Sequence, residues 1–122
     1  MEPISVGLVG LGTVAQGTLN VLANNREELA RRVGREIHIT HVGERRDRAG
    51  GDLSQVKVSR NLMVVALDPE VEIFVELIGG CDYALELIEA AIDSGKHVVT
   101  ANKALIAEHG NALFEKAQAR GV

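Results

Sequence analysis

The sequence predicts an α/β fold, a doubly wound open parallel sheet, and three observations carry that expectation. Short runs rich in Val, Ile and Leu alternate along the chain with longer stretches of helical periodicity. Glycines punctuate the ends of these runs, at Gly10, Gly12 and the pair Gly79-Gly80. Aromatic residues are confined to Phe74, Tyr83 and Phe114, so the core falls to Val, Leu, Ile and Ala, the mixture that fills a sheet covered by helices on both faces.

Ile4 to Val9 is a mostly apolar run ending in glycine and reads as a first, doubly buried strand. Val14, Val21, Leu22 and Leu29 then keep helical spacing, with charges on the opposite side, and predict one long helix over about 13–32. Gly34 is placed to stop it in a left-handed cap. From Glu36 to Val42, Ile37, Ile39 and His41 alternate at period two, a second strand. Residues 43–55 lack periodicity and read as an exposed loop, Gln55 to Val58 as a brief strand, and Asn61 to Leu67 as a helical turn capped by Asn61 and closed before Asp68-Pro69. Val71 to Ile78 is a further buried strand, and Asp82 is the expected cap of a helix that carries Leu85, Leu87, Ile88, Ala91 and Ile92 and closes at Gly95. His97 to Thr100 makes another strand, Asn102 caps a turn of helix to about Ala107, and Asn111 to Arg120 forms a last amphipathic helix.

The 122 residues fit one dinucleotide-sized domain, 1–122, and leave too little for a second core. Four or five strands are visible where six are usual for this architecture, and Gly121-Val122 reads as the entry to a further strand. The chain is therefore expected to be C-terminally truncated. Thirteen Lys and Arg against seventeen Asp and Glu give a net charge of −4, which opposes general attraction to nucleic acid or anionic lipid. Cys81 is the one cysteine, which excludes an internal disulfide or CxxC metal site and fits a small thiol in a reducing compartment. No apolar run reaches the ~18 residues of a membrane span, and the start lacks signal-peptide character. The expected location is the cytoplasm, with no membrane partner.

Gly10-Leu11-Gly12-Thr13-Val14-Ala15 matches G-x-G-x-x-G/A directly between a strand and a helix. Gly10 permits a tight turn, Gly12 leaves the backbone open to a pyrophosphate, and Ala15 lets the helix pack closely on the strand. The helix start adds unpaired N–H groups and a positive dipole end. At the end of the second strand Glu44 is placed to take ribose hydroxyls, which argues for NAD, whereas Arg45, Arg46 and Arg48 offer guanidinium forks for a 2′-phosphate, which argues for NADP. The balance leans to NADP. A solvated charge cluster is the plainer alternative for any one of these residues.

The ends of the later strands face the same crevice. Gly79-Gly80 would let backbone pass beside the nicotinamide half of a cofactor. In Thr100-Ala101-Asn102-Lys103, Asn102 is the cap and Lys103 the first helical residue, so the ammonium lies near a positive dipole end that disfavours its charge, as suits proton exchange beside a carbonyl. His38, His41, His97 and His109 have no ligand spacing and read as structural rather than metal-binding. Glu76, inside an apolar run, needs a partner within the fold.

Together GLVGLGTV (7–14), VELIGG (75–80) and GKHVVTANKALIA (95–107) resemble the nucleotide-binding part of homoserine dehydrogenase over nearly the whole chain. The resemblance implies a Rossmann-like domain in an oxidoreductase that interconverts aspartate 4-semialdehyde and homoserine with NAD(P)H, on the way to threonine and methionine. Carried over residue by residue, it places Gly12, Thr13 and Val14 at the diphosphate, Arg45 at the 2′-phosphate in members that use NADP, and Lys103 by the nicotinamide and the substrate oxygen; Gly10, Leu11, Gly79, Gly80, Thr100 and Asn102 complete the expected cofactor-binding set. Lys103 would be catalytic, binding substrate or transferring a proton with a second lysine from a later domain. A small-molecule substrate and a homo-oligomeric full-length protein are expected, with the isolated piece inactive. The family usually has glycine where this chain has Ala15, and 43–60 departs most from its pattern. Another NAD(P)-dependent amino-acid or sugar dehydrogenase, or a non-catalytic nucleotide sensor, is the alternative.

Overall fold

The computed structural model describes residues 2–10, 12–45 and 56–122, with 13–15 as backbone. These residues form five parallel strands and five helices in the order β1 (Ile4–Val9), α1 (Thr13–Asn24), α2 (Arg26–Val33), β2 (Ile37–Gly43), β3 (Lys57–Ser59), α3 (Leu62–Ala66), β4 (Ile73–Glu76), α4 (Asp82–Asp93), β5 (His97–Thr100) and α5 (Lys103–Arg120). The strands lie in the order β3-β2-β1-β4-β5, every pairing parallel. Chain direction across the sheet thus reverses between β1 and β4, the point at which open α/β sheets leave a crevice beyond their carboxyl ends.

Each strand alternates between two cores because successive side chains point to opposite faces. Val9, Phe74 and Val98 face α3, α4 and α5, where Leu62, Val65, Leu87, Ile88, Ala91 and Leu105 close the larger core. Leu8 and Val42 face the other way, against Leu19 of α1 with Ile39, Val75 and Leu77. Phe74 is fully buried at the centre of the larger core.

Several elements differ from the sequence expectation. The long first helix is two helices, because Asn25 leaves helical geometry (φ −114°, ψ 21°) and both its amide and its side-chain Nδ2 turn back to the Val21 carbonyl. Asn favours such local backbone bonds over helix continuation. Period two holds in β2 only as far as Ile39. The β1–β2 register skips Thr40, a bulge that puts Val42 on the face of Ile39 and turns His41 to the opposite side. Gly43 belongs to β2 rather than to the following loop, and of that loop 46–55 lie outside the described residues. A Cβ at Gly43 would stand 2.8 Å from Leu62, so α3 rests directly on its backbone.

The strand expected over 71–78 is shorter, Ile73–Glu76, although Glu72 and Leu77 still donate into β1 at Ser5 and Val9. Asp82 is not the cap of α4 but its first residue, after Cys81, where its carboxylate meets the positive dipole end. The break expected between 107 and 111 is absent. α5 runs unbroken through Gly110, which is buried and whose added Cβ would lie 3.2 Å from Ile106. The helix carries the roughly 1 kcal/mol cost of an interior glycine without breaking. Gly121 is the left-handed stop of α5: Gly121 and Val122 donate to Gln118 and Ala117, and Val122 packs on the core.

Candidate functional site

The bend after β1 is built on Gly10, whose φ of +97° suits glycine and whose added Cβ would stand 3.0 Å from the Leu77 carbonyl oxygen. Gly10 donates to the Gly43 carbonyl at 2.8 Å, and the Val9 carbonyl accepts from Leu77 at 3.0 Å. The bend is thereby tied to β2 on one side and to the turn after β4 on the other. Gly12 differs: among the described residues, a Cβ there would meet no atom within 4 Å. It precedes α1 without a side-chain cap, and the first turn of α1 has no acid, so the helix start presents its N–H groups and dipole to open space. Thr13 and Val14 supply the first turn of that backbone, while Leu11 lies outside the described residues.

A cleft of about 500 Å³ opens here, within the range of small-molecule sites, lined by Gly10, Gly12, Gly43, Glu44, Arg45, Leu62, Leu77 and Ile78. Glu44 is nearly buried, and its amide donates to the Ser59 carbonyl. Arg45 is exposed, with its guanidinium 5.4 Å from the centre of the Tyr83 ring. The ring holds a charged fork beside the cleft, a cation–π contact. Arg46 and Arg48 lie outside the described residues.

The residues expected at the nicotinamide end form a second group, at the carboxyl ends of β4 and β5. Gly79 and Gly80 both have positive φ (80° and 74°). Asn102 caps α5 by accepting from Leu105 at 3.1 Å, its amide nitrogen donates to the Gly80 carbonyl, and Lys103 is the first residue of the helix, exposed. Thr100, the last residue of β5, accepts from the Asn102 amide at 3.0 Å and donates to Glu76 at 2.5 Å. The two groups adjoin through Ile78, which lines the cleft and packs 3.3 Å from an added Cβ at Gly10.

Sequence reasoning missed Tyr83, which nothing in the linear pattern links to Arg45. It also missed a buried network in which fully buried His41 meets Asp68 at 2.7 Å through Nδ1 and Ser59 at 2.8 Å through Nε2. That network joins β2, β3 and the turn after α3. Among the described residues no cluster of three potential metal ligands occurs, and no helix is long and apolar enough to cross a membrane.

A parallel sheet of this strand order, with a glycine bend at the switch point and a bare helix start facing a cleft, defines a dinucleotide-binding α/β domain. Residues 10–122 match the family model described as homoserine dehydrogenase, NAD binding domain, and the chain belongs to that family. It is 51% identical to the homoserine dehydrogenase of Pseudomonas aeruginosa over all 122 residues and 34% identical to that of Bacillus subtilis, spanning 28% of each. The crystal structure of a homoserine dehydrogenase from Thiobacillus denitrificans superposes on the whole chain with a TM-score of 0.89 at 49% identity, again over 28% of its own chain.

Proposed function

We propose that this chain is the cofactor-holding part of an NAD(P)-dependent homoserine dehydrogenase, a cytoplasmic, homo-oligomeric enzyme that interconverts aspartate 4-semialdehyde and homoserine in threonine and methionine synthesis. The observation that carries the reading is the Gly10–Gly12 bend. One glycine is required by backbone shape and crowding, and at the next an added Cβ would meet no atom of the described residues within 4 Å. A pyrophosphate suits that space, with the N–H groups of Gly12, Thr13 and Val14 donating to it. The bound nicotinamide supplies the hydride chemistry. Lys103, at the first turn of α5, would donate to the substrate oxygen and stabilise negative charge developing there. Substrate residues beyond those present here complete the pocket, so the 122-residue chain binds cofactor and turns nothing over.

NADP is the favoured cofactor, because Arg45 is pre-set over Tyr83 at the edge of the cleft while Glu44 is already engaged and nearly buried. Fluorescence titration of the chain with NADPH and NADH tests both statements. We expect binding of both with NADPH tighter, and loss of the difference in Arg45→Ala. Tyr83→Leu should weaken NADPH alone, by about two- to fivefold, the worth of an exposed cation–π contact. Equal affinities in the native chain would assign Arg45 to solvent, and no binding of either would remove the functional reading.

A further inference from the structure

Glu76 ends β4 with no exposed surface, an expensive place for a carboxylate. Its Oε2 accepts from the amides of Ile78 (3.0 Å) and Gly79 (3.1 Å), and its Oε1 accepts from the Thr100 hydroxyl (2.5 Å). The same hydroxyl accepts from the Asn102 amide (3.0 Å), and the Asn102 side chain returns to the Gly80 carbonyl. These bonds close a ring: from Glu76 into the turn 78–80, across Asn102 to Thr100, and back to Glu76. Glu76 and Thr100 are register partners on β4 and β5, so the ring sits on the sheet itself.

The carboxylate is bonded to the glycine turn directly and to the start of α5 through Thr100, and α5 has its own cap in Asn102. What the carboxylate adds is a fixed separation between the two. We propose that Glu76 is a positioning residue for the nicotinamide end of the cofactor site, holding the Gly79-Gly80 turn in register with the start of α5 and so setting where Lys103 stands. This rests on the cofactor reading above and assigns a purpose to a buried acid that neither the diphosphate grip nor the Arg45 contact uses.

The test separates the two halves of the cofactor. Adenosine 2′,5′-bisphosphate carries the adenine and 2′-phosphate only, and NADPH carries both halves. Glu76→Leu leaves an apolar side chain of similar bulk but no acceptor for the two turn amides or for the Thr100 hydroxyl, so the ring cannot close. Thr100→Val removes the hydroxyl link while leaving the carboxylate on its turn, and serves if the first variant does not fold. We expect either variant to lose about tenfold in NADPH affinity and to hold bisphosphate affinity within about twofold. Amide NMR signals of Gly79, Gly80 and Lys103 should shift, with those of Gly10 and Gly12 in place. Equal loss for both probes, or NADPH affinity unchanged in both variants, overturns the proposal while leaving the cofactor reading intact. A native chain that binds neither probe overturns both.

Discussion

The two glycines of the first bend do different work, and substitution separates them. At Gly10 a side chain is opposed by backbone shape and by the Leu77 carbonyl, so Gly10→Ala should cost about 1–3 kcal/mol of stability. At Gly12 the backbone is ordinary (φ −73°) and nothing stands nearby, so Gly12→Val should change stability by no more than about 0.5 kcal/mol. The same variant should abolish measurable NADPH binding. Thermal melts beside a titration check both; a Gly12→Val chain that binds normally would show that the open space is not where the diphosphate lies. The motif disclosed the bend and the helix start after it in advance, because strand, glycines and helix are contiguous. Tyr83 and Arg45 meet only through the fold, and Glu76 was legible as a demand for partners but not as to which ones.

At the level of elements, punctuation was readable and continuity was not. Gly34, Asn61 and Asn102 act as stops and caps where local chemistry places them. The bulge at Thr40 depends on pairing with β1, and Gly110 is buried only in the folded chain, neither of which local pattern encodes. The bulge turns His41 toward Asp68, and the pair has a consequence for pH. Burial works to raise the Asp68 pKa, but the Glu70 amide, the His41 bond and the nearby charge of Lys57 outweigh it and hold it below the usual carboxylate value. A lowered folded pKa adds stability that is fully present above the unfolded value and is lost as pH falls through the folded one. Chemical denaturation across the acid range should therefore show the native chain losing stability below the ordinary carboxylate pKa. Asp68→Asn should be less stable near neutrality and lose less on acidification; parallel curves would exclude Asp68 as a source of the acid dependence.

For the whole molecule, the parallel pairing follows from the alternation of strands and helices, while the strand order, which the alternation leaves open, sets the switch point between β1 and β4. Phe74 anchors the larger core from the central part of that sheet. Phe74→Ala should cost about 3–5 kcal/mol, a large share of the roughly 5–15 kcal/mol that holds a domain together. Urea unfolding measures it, and a loss below about 1 kcal/mol would mean the core is not organised around that ring. Stability and recognition also meet at one place. Because Gly10 hangs from Gly43 on one flank and Val9 from Leu77 on the other, the sheet's own ladder shapes the seat before any guest arrives. Much of the ordering cost is then settled during folding, so a nucleotide bound as proposed would find its cradle already set.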